Sequence, residues 1–113
     1  MTFILAALAP MLAAQAAAIP ALDLEQQTSL RCATAFAIVS AVQERGGASE
    51  YPPLAERGSE FFVRTMARLM DETGTDRAGI QALVGAEAKE LEDPERIEQV
   101  MPACLMLLES SGL

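Results

Sequence analysis

Apolar residues recur at intervals of three and four from residue 24 onward, which is the spacing of an amphipathic helix. Four such segments are separated by short stretches rich in glycine, proline and acidic residues. The strict alternation of apolar and polar residues that marks a half-buried strand is not found in the sequence. The pattern therefore predicts an all-α fold, a compact bundle of four helices with short connections.

The first predicted helix, residues 24–45, has no charged side chain between residues 32 and 42. Asp23 is suited to cap it, with Gln26 three residues further on. Its large apolar residues fall on one stripe: Cys32, Phe36, Val39 and Val42. Because a helix that lacks charge over such a length is typical of a buried position, we expect it at the centre of the bundle.

The second and third predicted helices cover residues 54–72 and 76–91. Pro53 suits the first turn of the second helix, since its missing N–H would have no partner there. Gly74 is expected to end that helix, and Thr75 to cap the third. Glycines at positions 79 and 85 weaken the third helix by up to about 1 kcal/mol each relative to alanine.

The fourth predicted helix starts at Asp93-Pro94, with aspartate as cap and proline at the first helical position, and runs to about residue 109. Pro102 falls inside it. The sequence predicts a kink there, because the proline ring clashes with the carbonyl of Glu98.

The first 22 residues, MTFILAALAPMLAAQAAAIPAL, carry no charged side chain. An apolar core followed by small residues in an A-x-A arrangement predicts a signal peptide over residues 1–18, cleaved after Ala16 or Ala18. Residues 19–113 would then form a single helical domain. The alternative is a retained membrane anchor, because residues 3–22 just reach the length of about 20 apolar residues that a span needs.

Prolines and a glutamine interrupt this segment, and alanine dominates it, which favours the cleaved form. We therefore expect no stable membrane insertion after cleavage, and a periplasmic or secreted location.

Acidic residues outnumber basic ones, 16 to 8, for a formal net charge of −8. Nucleic-acid binding depends on clustered lysine and arginine, so it is not expected here. The chain has no histidine, the usual acid–base catalyst at neutral pH and the commonest metal ligand. The composition therefore predicts neither a metal site nor a cofactor.

The chain has two cysteines, Cys32 and Cys104, which lie on the predicted core faces of the first and last helices. Export to an oxidising compartment favours a structural disulfide between them. A redox motif would bring two cysteines close in sequence, and a zinc site would need about four ligands. A disulfide between two chains remains an alternative.

Four residues are candidate partner contacts. Tyr51 is a loop aromatic that precedes two prolines. Arg57, Arg64 and Arg68 share one face of the second helix and together could hold a carboxylate or a phosphate. Because acidic residues lie four positions away from two of them, as Glu60–Arg64 and Arg68–Glu72, a surface stripe of ion pairs is the favoured interpretation.

The stretches RCATAFAIV and YPPLAERGSEFFVRTMARLMDETG resemble small exported alphaproteobacterial proteins of unknown function. This resemblance covers most of the mature chain and implies no activity. In architecture, an acidic exported helical domain with one disulfide is also similar to the acid-stress chaperones of the bacterial periplasm.

The leading hypothesis is a non-catalytic exported domain that interacts with another envelope protein, in an oligomeric state that the sequence does not specify. A second hypothesis is a periplasmic chaperone-like or acid-stress protein that exposes apolar helix faces, motivated by its methionines and many carboxylates. A third is an enzyme that uses carboxylates such as Glu56, Glu60 or Asp71.

Overall fold

A computed structural model describes residues 19–113. Within that range the chain forms helices and no strand, and the helices are α1 (Leu24–Glu44), α2 (Arg57–Thr73), α3 (Arg77–Glu90) and α4 (Pro94–Ser110). The predicted all-α fold of four helices is therefore confirmed. The signal peptide predicted for residues 1–18 lies outside the described residues, and so does its cleavage after Ala16 or Ala18.

Helix α1 is the centre of the bundle, because it packs more extensively against each of the other three helices than those helices pack against one another. Its start is fixed by a reciprocal cap: the Gln26 N–H donates to the Asp23 carboxylate at 2.8 Å, and the Asp23 N–H donates to Gln26 Oε1 at 3.0 Å. Its middle is almost wholly buried, through Ser29, Leu30, Cys32, Ala33, Thr34, Ala35, Phe36 and Val39. The predicted central position and cap are both confirmed.

The contact between α1 and α2 is built on a close approach. Phe36 meets Phe61 edge to face, with ring centroids 5.2 Å apart. Gly58 lies beside them, and a Cβ added there would come within 3.2 Å of the Cβ atoms of both Phe36 and Leu54. Glycine at this position therefore lets the first turn of α2 lie against α1.

Two helix starts differ from the prediction. Helix α2 begins at Arg57, three residues after the predicted start, so Pro53 precedes the helix and does not belong to its first turn. The buried Leu54 gives its N–H to Gln43 of α1 at 3.0 Å, and its carbonyl accepts from the Gly58 N–H at 2.9 Å. Helix α3 is capped by Asp76, not Thr75, since its carboxylate accepts from the Gly79 N–H at 2.9 Å.

Local signals predicted the other boundaries correctly. Gly74 ends α2 with φ of +71°, a left-handed conformation that favours glycine. Asp93 caps α4 by accepting from the Glu95 N–H at 2.9 Å, and Pro94 is the first helical residue. The helix continues through Pro102, and the kink there stays a prediction.

Cys32 and Cys104 lie at disulfide-bonding distance in the core, with their Cα atoms 5.1 Å apart. Each is only 2% exposed. The predicted pairing is thus supported, and it joins α1 to α4 across a separation of 72 positions.

Candidate functional site

A predominantly apolar cleft opens between α1, the loop that follows it, and the start of α4, with a volume of about 350 Å³. This volume falls within the range of roughly 300–1,000 Å³ that is usual for binding sites. Its lining comprises Ile38, Val39, Val42, Ala48, Glu50, Tyr51, Leu91, Glu92, Pro94, Ile97 and Glu98. We refer to it as the Tyr51 cleft.

One amide side chain shapes the loop wall of the Tyr51 cleft. The Gln43 NH₂ group donates to the carbonyls of Pro52 at 2.9 Å and Ala48 at 3.3 Å, with a longer contact of 3.4 Å to that of Tyr51. Its Oε1 accepts from the Leu54 N–H at 3.0 Å. Because Gln43 belongs to α1, these bonds fix the loop relative to the helical wall of the cleft.

The loop also stores backbone strain. Ala48 has φ of +52°, in the left-handed region that costs a residue with a Cβ about 1–2 kcal/mol. Such conformations persist only where the surroundings enforce them, and they cluster at functional sites. Gln43 bonds the Ala48 carbonyl directly, so the strained residue is held at the edge of the cleft.

The electrostatics of the cleft are one-sided. Three exposed carboxylates, Glu50, Glu92 and Glu98, line it, and none of its lining residues is basic. Partial burial, together with the charges of Glu50 and Glu98, raises the pKa of Tyr51 above its ordinary value of 10.0. The cleft thus combines an apolar floor, a neutral phenol and a negative rim.

Tyr51 is half-buried, while the arginines proposed as contacts lie elsewhere and are engaged with neighbouring side chains. Each donates one such hydrogen bond: Arg57 to Glu109 at 2.8 Å, Arg64 to Glu60 at 3.0 Å and Arg68 to Ser29 at 3.3 Å. Of the two expected i,i+4 ion pairs on α2, Arg64–Glu60 forms. The pair of Arg68 with Glu72 does not, because Arg68 donates to Ser29 and Glu72 accepts from Gln26 of α1 at 3.1 Å. The structure therefore spreads the three guanidinium groups along α2, each with a different partner.

The carboxylates considered for catalysis, Glu56, Glu60 and Asp71, are exposed on α2 and at its start. Within residues 19–113, no three histidine, cysteine or acidic residues are grouped in a way that could hold a metal ion. Over the same range, no helix combines the length and the apolar character needed to cross a bilayer.

Most of the cleft was not predicted from the sequence. Ile38 lies outside the stripe that defined the core face of α1, and nothing in the sequence distinguishes Ile97 from the other apolar residues of α4. Glu92 belongs to an acidic segment, and such a segment indicates a solvated helix end. Only Tyr51 gave a signal, as a lone aromatic in a proline-containing loop.

No protein-family model, curated protein or solved structure matches this chain. The geometry and charge of the Tyr51 cleft are therefore the features from which we infer a function.

Proposed function

We propose that this protein is an exported, non-catalytic interaction domain that binds a segment of another envelope protein in the Tyr51 cleft. The observation that carries the proposal is an apolar cleft whose loop wall is held in a strained conformation by Gln43. A wall that is already ordered reduces the entropy lost when a partner binds.

Binding fits the cleft better than catalysis. The raised pKa of Tyr51 disfavours the phenolate, which is the form that would act as a base or a nucleophile. No basic side chain among the lining residues could stabilise that form. A neutral phenol instead offers an apolar ring and a hydroxyl that donates a hydrogen bond, a combination common at interfaces.

Export is the second part of the proposal. The uncharged first 22 residues have the pattern of a signal peptide, and paired cysteines are typical of oxidising compartments such as the periplasm. We therefore place the domain, after cleavage, in the periplasm or outside the cell.

Site-specific photo-crosslinking in the native envelope tests the proposal. A benzophenone side chain at Ile97, in the cleft, should give one dominant adduct, and the same group at Val63, which is 62% exposed on α2, should not. Val42→Trp, which fills the cleft, should abolish the adduct while circular dichroism remains helical. Equal adducts from both positions, or an adduct unaffected by the tryptophan, would contradict the proposal.

A second candidate, the chaperone-like protein, is favoured by the attachment of α3. Only Gly79, Ile80 and Leu83 of this helix are buried, and one ion pair, Arg31 to Glu87 at 2.7 Å, ties it to α1. In acid the 16 acidic side chains of the protein lose their negative charge, the net charge becomes positive, and exposure of the apolar face of this lightly buried helix is favoured. Dye binding to apolar surface and suppression of client aggregation should then rise together between pH 7 and pH 2; a protein that stays compact and inactive contradicts this candidate.

A further inference from the structure

We infer that the Tyr51 cleft selects a cationic segment of its partner, in which one large apolar side chain has lysine or arginine close to it in sequence. This inference rests on the proposed function and adds to it the chemistry of the partner.

The preference for a large apolar side chain follows from the walls of the cleft. Ile38 and Val42 of α1 face Ile97 of α4 across it, and all three side chains are only partly buried in the free protein. An inserted aliphatic side chain would remove their remaining apolar surface from water, which is the main favourable term in most protein association. The Tyr51 ring borders the same space and adds to the apolar contact.

The preference for a cationic segment follows from the carboxylates that line the cleft. Glu50 lies on the loop, Glu92 in the turn between α3 and α4, and Glu98 on α4, so negative charge comes from separate elements around the apolar floor. A segment that carries cations next to its apolar residue matches this charge. An acidic segment would meet like charge at each position, in a protein whose net charge is already −8.

A peptide segment fits these features better than a small molecule. The carboxylates are exposed rather than enclosed with the apolar floor. Small-molecule sites usually bury most of their ligand. A ligand that also reaches these carboxylates must extend beyond the apolar floor, and an extended peptide advances about 3.3 Å per residue with side chains on alternate faces.

The chain supplies its own probe, because Tyr51 is the only tyrosine and there is no tryptophan. Blocked peptides with one leucine between paired lysines should change Tyr51 fluorescence saturably in the full mature protein. Replacing the leucine by glycine, or the lysines by glutamates, should abolish the change. Glu50→Gln and Glu98→Gln should each weaken binding by about two- to five-fold, the range for exposed ion pairs, while Glu25→Gln at the far end of α1 should not.

The outcomes separate the inference from the proposed function. Equal binding of the acidic or the glycine peptide would overturn the inference, and so would an unchanged affinity in both glutamine variants. If no peptide binds but cleft-dependent crosslinking at Ile97 persists, the proposed function stands and the cationic class is wrong. A Tyr51 signal that changes with protein concentration alone would identify a second copy of this chain as the occupant, and would also overturn the inference.

Discussion

Breaking the link between α1 and α4 is expected to cost the folded protein about 4.4 kcal/mol at 25 °C. The value follows from the separation of 72 positions between Cys32 and Cys104, because a cross-link that closes so long a loop removes many conformations from the unfolded chain. Total stabilities of small domains are only about 5–15 kcal/mol. The melting temperature should therefore fall by roughly 18–35 °C, at about 4–8 °C for each kcal/mol.

The assay is urea unfolding followed by circular dichroism, with and without a thiol reductant. The double variant Cys32→Ala/Cys104→Ala should resemble the reduced natural protein and should not respond to reductant, which makes it the matched control. It should be slightly less stable than the reduced protein, because both sulfurs are buried and their removal leaves space in the core. A loss of less than about 1 kcal/mol on reduction would refute the chain-entropy reasoning.

Three further predictions follow from single side chains. Absorbance titration of Tyr51 should give a pKa above 10.0 in the folded protein and about 10 in denaturant. The stabilisation that comes from the raised pKa of Tyr51 is therefore complete below pH 10 and is lost as the pH rises through the folded pKa. Tyr51→Phe should remove this pH dependence of stability. Equal pKa values in the folded and the unfolded protein would contradict the prediction. Gln43→Ala should destabilise by about 1–3 kcal/mol and speed amide exchange in the loop before α2, because the N–H of the buried Leu54 and the partly buried carbonyl of Ala48 lose their partner. Unchanged exchange would show that Gln43 does not order the loop. Gly85→Ala, at a helical site with open space around it, should stabilise the protein by about 1 kcal/mol. Gly58→Ala should not, because the added Cβ would lie too close to Phe36. Equal effects of the two variants in thermal melts would contradict the close approach of α2 to α1.

The helices were predictable because their signals are local. The reciprocal cap of Asp23 and Gln26, and the Asp93-Pro94 start, depend on residues within one helical turn. The predicted start of α2 was three residues early, since the local signal of Pro53 gives no sign that the buried Leu54 is held by Gln43, eleven positions earlier in the chain. A pattern of spacing within one segment carries no information about such a bond.

The candidate site was less predictable than the fold for a related reason. The Tyr51 cleft brings together residues from 38 to 98, so its lining exists only once α1 and α4 have packed. The sequence showed a charged row on one helix face, formed by Arg57, Arg64 and Arg68. Which partner each guanidinium group binds depends on tertiary contacts, such as the hydrogen bond from Arg68 to Ser29. Charge spacing along one helix therefore indicates exposure more reliably than it indicates a binding role.

The link between Cys32 and Cys104 also bears on how the protein withstands proteases. The connecting loops between α1 and α4 all lie inside the closed loop, so a single cut in any of them leaves two fragments that remain one covalent particle. A nicked molecule can thus keep its packed core and its cleft, and only the combination of cleavage and reduction releases the halves.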